Sequence, residues 1–90
     1  MRELVVGTAE TGDESGTSRV YTYSILVDEM DVGAFSCESY GVRITERRTG
    51  HAAVVLHVTT SIPRIDELME LLIRNQVTPT GLRDVIDDWL

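Results

Sequence analysis

Two apolar stripes of identical spacing close this sequence, and they constrain its fold more than anything before them. Ile65, Leu68, Met69, Leu72 and Ile73 recur at i, i+3, i+4, i+7 and i+8, and Leu82, Val85, Ile86, Trp89 and Leu90 repeat the pattern. That spacing lines one side of an α-helix. Ser61 stands where an N-cap belongs with Pro63 in the first turn, and Thr78-Pro79 gives the second segment the same kind of start. Helices of about a dozen residues do not hold in water alone. Each stripe needs a surface to cover, and the preceding chain must supply it.

That chain reads with a period of two. Between Val20 and Glu29, Tyr21, Tyr23, Ile25 and Val27 share one face while Thr22, Ser24 and Asp28 share the other, as in a half-buried strand. Asp31-Val32-Gly33 turns the chain into a long third strand, Ala34 to Arg47. Its pattern changes phase, Phe35 and Cys37 fitting one alternation and Tyr40, Val42 and Ile44 the other. A bulge or bend between Glu38 and Gly41 is therefore expected, which makes Glu38 the acid to watch. Arg48-Thr49-Gly50 closes a hairpin into a fourth strand, Ala52 to Thr59. This strand is apolar on both faces, with Val54, Leu56 and Val58 opposite Ala53 and Val55, so it calls for cover on both sides. Leu4-Val5-Val6 reads as a short first strand, and the polar stretch Thr8 to Ser18 as a flexible loop. The predicted fold is α+β: a four-stranded antiparallel β-meander followed by two amphipathic helices packed on one face of the sheet (ββββαα). Residues 1–90 form a single domain in this reading, with 8–18 as its loop.

Charge narrows the partners. The formal net charge is −7, and all eight basic residues are arginines, scattered apart from Arg47-Arg48. A polyanion is repelled by such a surface, so no nucleic-acid partner is expected. A helix-turn-helix reading of the last two segments fails for the same reason, since Arg83 stands against Asp84, Asp87 and Asp88. No stretch approaches the roughly 20 apolar residues of a membrane span, so no membrane partner is expected either. The lone Cys37 allows no intrachain disulfide, which suits a reducing compartment and points to a cytoplasmic location.

No complete catalytic set is legible, and no catalytic residue, metal site or cofactor is expected. Gly7 and Gly12 have the spacing of a phosphate-binding loop, but Asp13 and Glu14 stand where Lys and Ser/Thr must follow. Cys37, His51 and His57 are too few and too dispersed for a zinc site. Two weaker constellations remain. Tyr21, Tyr23, Arg43 and Arg47 could supply stacking and charge for a small molecule or nucleotide on the sheet face near the 8–18 loop. Val55 and His57, on the two-sided fourth strand, and Asp87 and Asp88, in the last helical turn where acids oppose the helix dipole, are candidates for a protein interface.

Tyr40-Gly41-Val42-x-Ile44, Thr59-Thr60-Ser61, Ile65-x-Glu67-Leu68 and Val77-x-Pro79-x-x-Leu82-x-Asp84-Val85-Ile86 resemble a family of short uncharacterised proteins from clostridia and related Firmicutes, over roughly residues 21–90. The resemblance implies a bacterial cytoplasmic setting and lends no catalytic residue. The leading expectation is a non-catalytic protein-interaction or regulatory module, a homodimer through strand four or a partner of an unidentified protein. The alternative is the small-molecule or nucleotide domain.

Overall fold

In the computed structural model, which describes residues 1–12 and 16–90, four antiparallel strands form one sheet in chain order. They are β1 (Arg2–Gly12), β2 (Ser18–Val32), β3 (Phe35–Glu46) and β4 (Ala52–Thr59); α1 (Ile62–Arg74), a 3₁₀ turn over Pro79–Gly81 and α2 (Leu82–Trp89) follow. This is the ββββαα meander that the change of period predicts. β2 and β3 are central, and β1 and β4 are the edges.

The core lies between one sheet face and the helices. Tyr21, Tyr23, Ile25 and Val27 on β2, with Tyr40, Val42 and Ile44 on β3, are buried together with Ile65, Leu68, Met69 and Leu72 of α1 and Leu82 and Ile86 of α2. The α1 stripe is buried apart from Ile73, which is partly covered; in α2, Val85 and Trp89 are half-buried, and Leu90 is 71% exposed. The Tyr23 hydroxyl donates to the Val77 carbonyl oxygen at 2.8 Å, tying the sheet to the segment between the helices. Burial pushes the Tyr23 phenol up to about 12, with the neighbouring Tyr21 adding to the rise.

Helix ends follow local chemistry. Ser61 caps α1, its side chain accepting from Arg64 N at 3.4 Å with Pro63 in the first turn. At the other end Val77 N donates to Leu72 O and Gln76 N to Ile73 O, the paired closure of a helix in which Gln76, just past the C-cap Asn75, is left-handed at φ 52°. Thr78 takes the extended conformation of a cap, but its side chain makes no capping bond, and the turn after it is 3₁₀ before α2 begins. Arg64 on α1 lies over the Trp89 ring of α2, 4.0 Å from its centroid, and clasps the helices together.

The first strand is longer than its apolar letters indicate. Of the stretch expected as a loop, 8–18, residues 8–12 complete β1 by pairing Thr8↔Thr22 through Gly12↔Ser18, and residues 13–15 lie outside the described residues. An irregularity separates Val5↔Ser24 from Gly7↔Tyr23, with Val6 47% exposed beside it.

The bulge or bend expected between Glu38 and Gly41 does not interrupt the β2–β3 ladder; the irregularity falls at Gly41 in the β3–β4 ladder, between Tyr40 and Val42. The β2–β3 register runs unbroken from Tyr21↔Glu46 to Val32↔Phe35. Phe35 and Cys37 alternate out of phase with Tyr40 because this end of the hairpin passes beyond the helices; Glu29, Asp31 and residues 33–38 are exposed, and the chain is elongated at 55 × 23 × 17 Å. Glu38 is exposed there and pairs with Arg2 at 2.6 Å. A second pair, Arg43–Glu3, also at 2.6 Å, joins β3 to β1 on the opposite face of the sheet, so among the described residues each face has one ion pair spanning β2.

The β3–β4 hairpin closes on Glu46, which is 3% exposed. Its carboxylate accepts from Arg48 N at 3.0 Å, from Thr49 N at 2.7 Å and from the Thr49 hydroxyl. These bonds, the Thr49 hydroxyl first among them, hold the Glu46 carboxyl below its ordinary value, and Arg19 adds to the effect. Gly50, at φ 76°, supplies the left-handed residue that the turn requires.

Candidate functional site: a groove along the β4 edge

Among the described residues β4 has a neighbour on one side only. The pairs Val42↔Val55 and Ile44↔Ala53 set Ala53 and Val55 toward the helices, while Arg43↔Val54 and Thr45↔Ala52 set Val54 and Ala52 on the far face. Val55 is half-buried, whereas Val54 is 42% and Leu56 43% exposed. The strand that reads as apolar on both faces is thus covered by this chain on one.

Beyond Val55 the ladder breaks. The next pair after Val42↔Val55 is Tyr40↔Thr59, so residues 56–58 of β4 stand against the single residue Gly41. This is an enlarged β-bulge with two extra residues on β4, and His57 within it is left-handed at φ 54°. Its ring reaches back over the far face of the sheet, where Asp28 and Ser39 are cross-strand partners. His57 Nδ1 is 3.1 Å from Ser39 Oγ, and Nε2 is 3.8 Å from Asp28 Oδ2. Serine, histidine and aspartate can form a nucleophilic relay, but Ser39 is only 2% exposed and the Asp28 separation exceeds a hydrogen bond. The trio instead pins the bulge to the central strands.

α2 borders the same edge. Arg83, Ile86, Asp87 and Leu90, at i, i+3, i+4 and i+7, share one side of the helix and enclose with Val54–Val58 a groove of about 440 Å³. The groove has an apolar floor with one cation and one anion from α2, and residue His57 lies at its border. Among the described residues neither Arg83 nor Asp87 forms an ion pair.

Of the four residues proposed from sequence for an interface, Val55, His57 and Asp87 line this groove, while Asp88 borders a separate hollow with Leu71, Val85 and Trp89. Sequence reasoning missed Val54, Leu56, Arg83 and Leu90 as its lining. The signal for the α2 pair was the i, i+7 spacing beside the main stripe. The ligand constellation does not converge. Tyr21 and Tyr23 are 6% and 0% exposed beneath the helices, Arg43 lies on the opposite face with Glu3, and Arg47 is exposed past the end of β3. A hollow of about 410 Å³ near the other edge is bounded by Arg2 and by the carboxylates of Asp28, Glu29 and Glu38. Among the described residues no group of three or more His, Cys, Asp or Glu is placed to hold a metal ion, and no helix is long and apolar enough to cross a membrane.

Comparison with curated proteins and with solved structures finds no match to the chain in either set. A family match runs over residues 2–90, essentially the whole of the meander and both helices, and the chain belongs to the family of unknown function DUF6514.

Proposed function

We propose that this chain is a non-catalytic protein-interaction module of the bacterial cytoplasm that self-associates along β4. The observation that carries the reading is the exposure of Val54, Leu56 and Leu90, at 42%, 43% and 71%, beside the unpaired backbone edge of β4. An edge strand offers a row of free N–H and C=O groups, and adding a strand there satisfies them while covering adjacent apolar side chains. Contiguous apolar surface beside such an edge marks interaction sites in soluble proteins. The setting draws support from the resemblance over residues 21–90 and from Cys37, an exposed free thiol suited to a reducing compartment.

Sedimentation equilibrium tests the reading. The wild-type chain should associate in the micromolar range, and Val54→Lys, which sets a charge into the exposed apolar row, should be monomeric with an unchanged circular dichroism spectrum. Association unaffected by Val54→Lys, or a strict monomer at millimolar concentration, would count against it.

A further inference from the structure

We infer that the occupant of the β4–α2 groove is a second copy of this chain, docked about a two-fold axis normal to the sheet so that β4 and α2 each meet their own copies antiparallel. The inference rests on the proposed association through β4 and specifies its geometry.

Three observations support it together. First, β4 is regular only before its bulge, with pairs at 52–55 and irregular geometry over 56–58. A partner strand can therefore add only along a short stretch, too little to hold a complex alone. Second, α2 runs beside this edge and supplies the rest of the contact: Leu90 is 71% exposed, and Ile86 and Leu90 share the groove with Val54 and Leu56. Third, Arg83 and Asp87 lie one helical turn apart on the groove side of α2, opposite in charge and without an ion-pair partner among the described residues.

A two-fold axis turns that third observation into complementarity. An isologous interface must match itself, residue i meeting j and j meeting i. With α2 antiparallel to its copy, Arg83 faces the partner's Asp87 and Asp87 faces the partner's Arg83, so two ion pairs form from one unpaired set. The same axis makes the strands antiparallel and leaves the helices of both copies on one side of a continuous eight-stranded sheet. Strand and helix contacts therefore call for a single arrangement. The chain carries a net charge of −7, and most of its surface disfavours a second copy. The groove, with one acid balanced by one arginine, is where that repulsion is lifted.

Charge reversal with sedimentation equilibrium tests this. Arg83→Asp and Asp87→Arg should each weaken dimerisation roughly tenfold or more, because each places like charges together twice in a symmetric interface. The double variant Arg83→Asp/Asp87→Arg should restore the dimer, and all three should keep the wild-type circular dichroism spectrum. If the wild type dimerises, Val54→Lys abolishes the dimer and the reversals have no effect, the two-fold helix contact is overturned while association through β4 stands. If the wild type is monomeric, or dimerises regardless of Val54→Lys, both fall.

Discussion

Gly41 lies so close to Val55 across the β3–β4 seam that a Cβ on residue 41 would stand 2.6 Å from the Val55 carbonyl oxygen and 3.0 Å from Leu56 Cα. Both obstacles are backbone atoms, so no rotamer change relieves them. The approach exists because three residues of β4 crowd against one of β3, and only a residue without a side chain permits it. Gly41→Ala should therefore cost about 1–3 kcal/mol in urea denaturation. The loss should be accompanied by faster amide exchange in β4 than in β1, since the strain falls on one seam.

Tyr23 ties stability to alkaline pH. Its phenol is raised from 10.0 to about 12 by burial, then by Tyr21, so the folded chain holds this proton where the unfolded chain has lost it. The stabilisation is fully present below pH 10 and is lost as the pH climbs through the folded value. Tyrosinate absorbance in the near ultraviolet should show one phenol resisting ionisation until the fold opens, and Tyr23→Phe should remove that component. The same change deletes the bond to Val77 and should cost about 1 kcal/mol at neutral pH.

Glu46 acts at the opposite end of the scale. Its carboxyl is held below the ordinary 4.5 by hydrogen bonds from Thr49 and Arg48, so its contribution is present above that value and lost as the pH falls through the lower, folded one. Glu46→Gln should lower stability at neutral pH and flatten its decline with acid. A decline as steep as that of the wild type would show that other carboxylates govern the acid limb.

Arg64 serves two partners of unequal worth. Its guanidinium lies 4.0 Å from the Trp89 ring centroid and 3.4 Å from Glu67. A double-mutant cycle between Arg64 and Trp89 should give a coupling of about 0.5–1 kcal/mol. The cycle between Arg64 and Glu67 should give about 0.3–0.5 kcal/mol at most, because that pair is exposed and one helical turn apart.

Where side chains carry the periodicity, the fold was readable. The stripes beginning at Ile65 and Leu82 and the alternation of Tyr21, Tyr23, Ile25 and Val27 place the sheet and its helical cover. What stayed hidden was carried by backbone. Thr8 to Gly12 pair with β2 through main-chain bonds at a sheet edge, where polar side chains meet no penalty, so nothing in their letters marks a strand. The phase change at Phe35 and Cys37 reflects the end of helical cover rather than a kink. Gly41 did signal an irregularity, but the extra residues lie on the strand facing it. In the groove, the two-sided apolar character of β4 was legible, and Val55, His57 and Asp87 followed from it and from the helix dipole. Val54, Leu56, Arg83 and Leu90 required knowing which β4 face the helices leave open and that α2 borders that edge.

Amide hydrogen exchange as a function of protein concentration tests most directly whether β4 is the associating edge. Exchange over 52–56 should slow as the concentration rises, while exchange at the other edge, Leu4 to Val6, should stay constant. Concentration-independent exchange along β4, or slowing confined to β1, would contradict the account.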